Sequence, residues 1–542
     1  MSVLRAEPKQ VTLESNFKVG HRLMDLAVHP RQHWLATIDS QADELVLLRY
    51  QIDQSERCQL TVAARHSAPK GLLRLGWLPD GRLMVSSAWS RQISLWRVDS
   101  AGSPQLALDS TIELSFAPCN ICVTPNDQAI VVADAFGGNL ALIRLNPLHV
   151  SVVQIPGHNI RGLTMSHDQT TVLVAHQMLN DFIPTTRDHV FWGNVVSSML
   201  RSISLDQLSS PTATNTAPAV RRVHGSLFPL GQEGHAAGDP SEVTITDNGY
   251  LCICLSGVGE VAIRPTGQRR FRRIPVGRGP SSQTGFGNRL AVANRFEDTV
   301  VILQLKTGKI LQRIPLGPTP AKETEAERGE RLFFDAKLSL DGWYSCHSCH
   351  TDGHTCGLLN DNFGDETMGA PKRIPTLLGV GTTGPYAWNG RHHSLQSQIR
   401  SSLQRTMHTN EEASIHPADL SAIEAYLRTL QPPPDLKTSR GRPPNAASID
   451  RGSQQFHQLG CADCHIPPAY TSTRTYDVGL HDEKGQQAFN PPSLRGLSHR
   501  RVLLHDGRYT SLAELLRSHP TPDGLEIGNR ERQDLLTFLR SL

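Results

Sequence analysis

Between about residue 17 and residue 316 one theme recurs: a turn rich in Pro, Asp, Asn or Gly, an apolar strand, a small or polar bend, and a second strand. The copies are Val28-His-Pro with Trp34-Leu-Ala-Thr-Ile, Trp77-Leu-Pro-Asp-Gly with Leu83-Met-Val-Ser-Ser, and Val123-Thr-Pro-Asn-Asp with Ile130-Val-Val-Ala-Asp. Met165-Ser-His-Asp with Val172-Leu-Val-Ala, Ile245-Thr-Asp-Asn-Gly with Leu251-Cys-Ile-Cys, and Gly285-Phe-Gly-Asn with Leu290-Ala-Val-Ala-Asn complete the set. Their starts fall about 40–50 residues apart, with one double-length gap, which is the period of four-stranded propeller blades. A blade cannot bury both of its faces alone, so such a period commits the chain to a closed ring. Six blades are counted; a seventh would have to be closed by strands from both ends. The double gap, about residues 180–240, holds Pro211, Pro218, His224 and Gly234-His235 and reads as a long loop facing a neighbouring domain.

With 542 residues the chain has room for two or three domains. Its 54 basic and 51 acidic residues nearly balance, which gives no sign of nucleic acid or a membrane surface as a partner. No apolar run reaches the roughly 18 residues a spanning helix needs. Cys346-His-Ser-Cys-His350 and Cys461-Ala-Asp-Cys-His465 have the spacing of c-type haem attachment. Two thioethers pin the porphyrin and the next side chain brings an imidazole to the iron. A zinc or disulfide pair with an idle histidine is the alternative reading; two copies favour two covalent haems. Cys119-Asn-Ile-Cys122 is followed by Val123, lacks the ligand, and reads as a disulfide or two buried thiols. Cys252 and Cys254 alternate on one strand face, as core residues do. Covalent attachment implies export in bacteria, so the expected compartment is the periplasm. Met1–Phe17 has no apolar signal core, and a removed leader would account for that.

The second half is duplicated. Arg328-Gly329 leads to the first haem motif and Arg451-Gly452 to the second. Downstream, Pro375/Pro492, Leu377/Leu494, Gly379/Gly496, Gly390/Gly507, Arg391/Arg508, Ser394/Ser511 and Leu395/Leu512 each lie 117 residues apart. Each copy ends in an amphipathic segment, Ala422–Leu430 or Gln533–Leu542, and Pro432–Pro434 with Arg440–Pro444 separates them. The expected architecture is a multidomain chain: an all-β propeller over 1–320, then a mostly α, duplicated cytochrome c-like part with haem domains at 321–435 and 436–542.

The first region resembles the YVTN/WD40-like propellers, without their tetrapeptides. Leu332–His350, Ile374–Leu395 with Trp388-Asn-Gly-Arg391, and His505-Asp-Gly-Arg508 closely resemble the bacterial di-haem cytochrome c peroxidases and their relative MauG, over about residues 320–542. In that family one haem activates hydrogen peroxide, the other passes electrons, and a tryptophan lies between them. The resemblance implies that Cys346, Cys349, Cys461 and Cys464 carry the haems, with His350 and His465 as proximal iron ligands. The second axial ligand of the C-terminal haem then falls on His519, whose alternative is a surface helix end before Pro520. The relay tryptophan maps to Trp388 and a site glutamine to Gln398. The removable distal histidine of many relatives maps near Asp365, where none stands, so the first haem is expected to be five-coordinate and open.

The family's catalytic glutamate lies about twenty residues beyond the tryptophan, and that count lands on His408. Imidazole can move the protons of peroxide cleavage, or it could ligate iron and close the site. Glu411 and Glu412 stand in reserve, with His354 and Met407 as further candidates for the distal side. Arg373 and Ile374 occupy the place of the asparagine that helps bind calcium in the family, which weighs against calcium here and leaves Arg373 able to neutralise a haem propionate. The implied activity is a periplasmic di-haem oxidoreductase activating hydrogen peroxide at the His350 haem, with electrons from the His465 haem passing through Trp388. Its electron source would be a donor cytochrome or a protein side chain, docked by the propeller. Two rivals are a pure electron-transfer protein whose propeller docks a dehydrogenase, and catalysis within the propeller with the haems as its outlet. His29, His158 and His189 read as surface or satisfied loop residues rather than as a metal site.

Overall fold

The computed structural model describes residues 1–7, 9–99, 104–124, 129–209, 220–317, 323–409, 415–519 and 527–542. Six sheets follow one another from Leu23 to Pro315 and form a six-bladed propeller; the third carries a fifth, short strand, Arg221–Arg222, that crosses from within the fourth blade's stretch of chain and pairs parallel to Leu148–Gln154. The middle strands read as near-continuous apolar runs because neighbouring blades cover both of their faces. Trp34–Asp39, Leu83–Ser87 and Ala129–Asp134 are buried at every position. Outer strands such as Cys58–Ser67 alternate toward solvent, the period-2 pattern of a half-buried strand. No seventh blade forms among the described residues. The N-terminal strands Ser2–Ala6 and Val11–Asn16 pair with each other, and Val11 exchanges hydrogen bonds with the Gln312 side chain of the last strand.

The double-length gap lies inside the fourth blade, between its second strand, Thr171–Leu179, and its fourth, Ser226–Pro229. At one matched position of the first strand, five blades place Asp25, Arg74, Asn120, Arg161 and Glu242, a mixed polar set that the sequence reading missed. Arg74 donates to Asn120 (3.1 Å), and burial pushes the Glu242 carboxyl up to about 7. His29 and His158 are buried rather than on the surface, and His29 accepts from the Arg31 and Gln32 amides. Cys119, Cys122, Cys252 and Cys254 are free thiols, with Cys252 and Cys254 in the core of the fifth and sixth blades.

The chain divides into two compact units that are not contiguous in sequence. One is Met1–Gln177, Ser198–Leu230 and Asp239–Ala321; the other is Met178–Ser197, Gly231–Gly238 and Lys322–Leu542. Two excursions from the propeller sequence belong to the helical unit, and the two haem repeats fall in one unit. Val190, Val195, Val196 and Ala236 share a hydrophobic core with Phe333, Trp343, Tyr344, Leu403 and Met407. Trp343 Nε1 donates to Phe191 O (2.9 Å), Gly238 N to Gly342 O (3.0 Å) and Thr185 N to Asp361 O (2.9 Å).

Within each repeat the first helix crosses the last at a glycine. Helix Glu325–Phe333 meets Pro417–Thr429 at Gly329, where a Cβ would lie 1.8 Å from Ala422 O. Helix Ala446–Gln458 meets Asn529–Ser541 at Gly452, where a Cβ would lie 2.1 Å from Asp534 O. An aromatic pair closes each crossing, Phe333–Tyr426 at 5.2 Å and Phe456–Phe538 at 5.3 Å. The arginine before each glycine reaches the opposite helix: Arg328 to Asp419 (2.5 Å) and Arg451 to Asp534 (2.6 Å). Among the described residues no helix is long and apolar enough to cross a membrane.

Candidate active site

Both Cys-x-x-Cys-His motifs adopt one local structure. Cys346–Cys349 and Cys461–Cys464 each form a single helical turn. His350 N donates to Cys346 O and His465 N to Cys461 O, both at 2.9 Å. The two histidines leave the turn with nearly identical backbones, φ −102°, ψ 63° and φ −103°, ψ 69°. Each Nδ1–H donates to a backbone carbonyl: His350 to Pro375 O (2.9 Å) and His465 to Tyr470 O (3.2 Å). That fixes the tautomer and leaves Nε2 free to ligate. Burial pushes both imidazoles down to about 4, which keeps them neutral at pH 7 as a ligand must be. His519, just past helix Leu512–Ser518, lies close enough to His465 to add to that depression.

Cys346, Cys349 and His350 open onto a cavity of about 300 Å³ whose walls are largely apolar, with Ile374, Leu377, Leu395, Ile399, Leu403 and Leu427 among them. Two thiols, a neutral imidazole and an apolar enclosure fit a covalently held haem. Trp388, Gln398, Met407, Arg373 and Arg500 line the same cavity, as do Phe489 and Asn490 of the second repeat. Asp365 is its single carboxylate among the described residues; it is paired to Lys372 (3.0 Å), which also meets Asp482 of the second repeat (2.8 Å).

Trp388 sits where the repeats meet, and the pairing is reciprocal. Asn490 N donates to Trp388 O (2.8 Å), while Arg373 N donates to His505 O (2.6 Å). Arg373 and Asn490 lie 117 residues apart, as do Trp388 and His505, so each contact is the other's image across the duplication. Trp388 Nε1 donates to Arg373 O (2.8 Å), and the Arg373 guanidinium lies 5.1 Å from the indole centroid. The Trp388 ring meets His505 edge-on at 6.3 Å, and His505 stacks on Phe489 at 4.2 Å. Gln398, on helix Leu395–Ser401, donates to Ser402 Oγ (3.1 Å) while its Oε1 is buried without a hydrogen-bond partner.

His408 is not brought to the cavity. Its Nε2–H donates to Thr185 O (2.7 Å), a carbonyl of the excursion, and its backbone takes φ 48°. The ring is engaged with the excursion, not with the cavity that the acid–base and iron-ligand expectations need. Met407, one residue earlier, is the side chain that lines the cavity. The shift has a local cause, because Ser402–Thr406 is a π-helical turn, which holds one residue more than an α-turn and rotates every later side chain. His354 is buried, hydrogen-bonded to Thr376 Oγ1 (2.9 Å), and off the cavity wall. Glu411 and Glu412 lie outside the described residues. Sequence reasoning missed Arg500, Lys372 and the excursion: a charge run such as His499-Arg500-Arg501 ordinarily marks a solvated face, and no local signal reveals its burial.

Comparison with known proteins agrees with this geometry. The family model for di-haem cytochrome c peroxidase matches residues 323–433. The chain is 27% identical over 281 residues to the methylamine utilization protein MauG of Methylorubrum extorquens, covering 41% of this chain and 79% of that protein. It is 25% identical over 273 residues to the cytochrome c551 peroxidase of Nitrosomonas europaea, covering 41% of this chain and 81% of that one. With the cytochrome-c peroxidase IdrP1 of Pseudomonas sp. strain SCT it shares 23% identity over 324 residues, 42% of this chain and 84% of the other. Residues 323–433 thus match the di-haem cytochrome c peroxidase family, and the C-terminal part is similar to MauG and to the peroxidases, which marks a peroxidase-like oxidoreductase joined in one polypeptide to a six-bladed β-propeller.

Proposed function

We propose that this protein reduces hydrogen peroxide at the cavity beside His350, with electrons entering through the second repeat from a donor cytochrome or an oxidisable protein side chain. The observation that carries the proposal is that Cys346, Cys349 and His350 share one largely apolar cavity with Trp388 and Gln398. Cys346 and Cys349 would hold one haem and Cys461 and Cys464 the other, with His350 and His465 as their proximal ligands. When bound, the haems supply iron centres that accept and donate single electrons, one of them with a coordination position for peroxide. His519, beside His465, would complete the second centre and dedicate it to electron transfer. The chain's own groups do the rest. Gln398 Oε1, buried without a partner, accepts a hydrogen bond from a peroxide O–H and orients it. Reduction to two waters consumes two protons and two electrons, and the Asp365–Lys372 pair is the ionisable pair on the wall that can relay protons inward. Trp388, in contact with both repeats, bridges the electron path. Covalent haem attachment and the likeness to MauG and the cytochrome c peroxidases support a periplasmic location.

Met407 supports a second reading. Its thioether lines the cavity that His350 enters, and on iron it would close the site and leave a conductor rather than a peroxidase. Ferric absorption and EPR spectra decide between the two. A high-spin component that changes on adding peroxide is expected for the peroxidase; wholly low-spin spectra that ignore peroxide would refute it. In the same measurements His519→Gly should convert one low-spin signal to high-spin, and an unaltered spectrum would remove His519 from the ligand set.

A further inference from the structure

Arg373, Arg495 and Arg500 are close enough for Arg500 to feel the charge of both others, and Arg373 and Arg500 line the cavity beside His350. None of the three meets a carboxylate within ion-pair distance among the described residues. Elsewhere in the same unit Arg328, Arg391, Arg451 and Arg508 each do. Their hydrogen bonds go to backbone and hydroxyl oxygens instead. Arg373 Nε donates to Leu504 O (2.9 Å), Arg495 Nη2 to Thr382 Oγ1 (2.8 Å), and Arg500 Nη2 to Arg495 O (2.8 Å). The Nε groups of Arg495 and Arg500 are sealed from solvent with no partner. Burial pushes Arg373 down to about 10 and Arg500 to about 9, so both remain cations at neutral pH. Three guanidiniums gathered together, with buried donors left over, repel one another unless anions join them.

We propose that Arg373, Arg495 and Arg500 form a carboxylate-binding cluster that takes the propionates of the haems, a counter-charge drawn from both repeats and shared by both cofactors. The inference rests on the two-haem reading above and deepens it. Guanidinium forks suit carboxylates because two parallel N–H groups meet two oxygens. Arg373 comes from the first repeat and Arg495 and Arg500 from the second, so one anionic edge would tie the duplicated halves together. Positive charge held near an iron favours its ferrous state, so the cluster also sets the potential of the centres it serves.

The test is a spectroelectrochemical titration of the haem-loaded full chain and of Arg500→Gln, Arg373→Gln and Arg500→Lys. Loss of either guanidinium should shift the ferrous/ferric equilibrium about tenfold toward ferric, a fall of about 59 mV in at least one midpoint. Arg500→Lys should recover part of the shift. Two haems per chain with midpoints unmoved in both glutamine variants would overturn the proposal while leaving the two-haem reading intact. A wild-type chain without covalent haem, read by haem stain, would defeat that reading and the proposal with it. Sodium acetate separates propionate from a free carboxylate as the occupant. No effect on the wild-type midpoints is expected, and a saturable acetate-dependent shift would show the guanidiniums open to solution anions and overturn the assignment.

Discussion

Replacing His408 separates a structural histidine from a catalytic one by magnitude. In His408→Ala the Thr185 carbonyl loses its 2.7 Å donor, and Thr185 is fully buried. An orphaned buried acceptor costs about 1–3 kcal/mol. Alanine gains nothing back from the backbone, because φ 48° is no more favourable for it than for histidine. For a unit of this size each kcal/mol lowers the melting temperature by about 2–4 °C, so a fall of about 2–12 °C is expected. Glycine takes this φ without steric cost, so His408→Gly should melt above His408→Ala. The rate of peroxide turnover per folded, haem-loaded molecule should change by less than about 10-fold, since loss of a proton-transferring side chain costs about 10²–10⁴-fold. Thermal unfolding by circular dichroism and stopped-flow peroxide kinetics below the transition give both numbers. A stability within 0.5 kcal/mol of wild type together with a hundredfold loss of rate would refute the reasoning and return His408 to the chemistry.

Trp388→Phe removes the hydrogen bond to Arg373 O and the larger ring. Both haems should remain attached while electron transfer between them, followed by stopped-flow absorbance, slows at least tenfold. Gly452→Ala forces a methyl group against Asp534 O, and chemical denaturation should show a loss of about 1–3 kcal/mol despite alanine's better helix propensity. Asp534 is held at about 2, below its ordinary 3.8, by Arg451 and Ser448. Its contribution is therefore present above pH 3.8 and lost as pH falls toward 2, and an acid-unfolding titration of Asp534→Asn should show that component missing.

The propeller was legible because each blade's middle strands are covered on both faces, which writes an apolar run every 40–50 residues. The haem repeats were legible because Cys-x-x-Cys-His and the Gly329 and Gly452 crossings are short-range demands that duplication copied. What failed was counting across irregular backbone. Twenty residues from Trp388 does reach His408, but the π-turn at Ser402–Thr406 turns Met407 to the cavity in its place. The double-length gap carries no propeller period because Met178–Ser197 and Gly231–Gly238 belong to the other unit and place their apolar side chains in its core. Arg500 was invisible for the opposite reason: its surroundings come from distant sequence, and nothing beside it in the chain forecasts burial.

The excursion at Met178–Ser197 makes the two halves of this polypeptide unsuitable as interchangeable cassettes. Val190, Val195, Val196 and Ala236 fill a core whose other buried walls begin only after residue 322, so a gene truncated to the C-terminal half would encode a fold with a missing wedge. During synthesis those valines emerge well before their partners and must wait, uncovered, for the rest of the chain. Any ancestor assembled by joining a propeller to a free-standing cytochrome would have acquired this dependence afterwards, and once acquired it fixes the order of the parts.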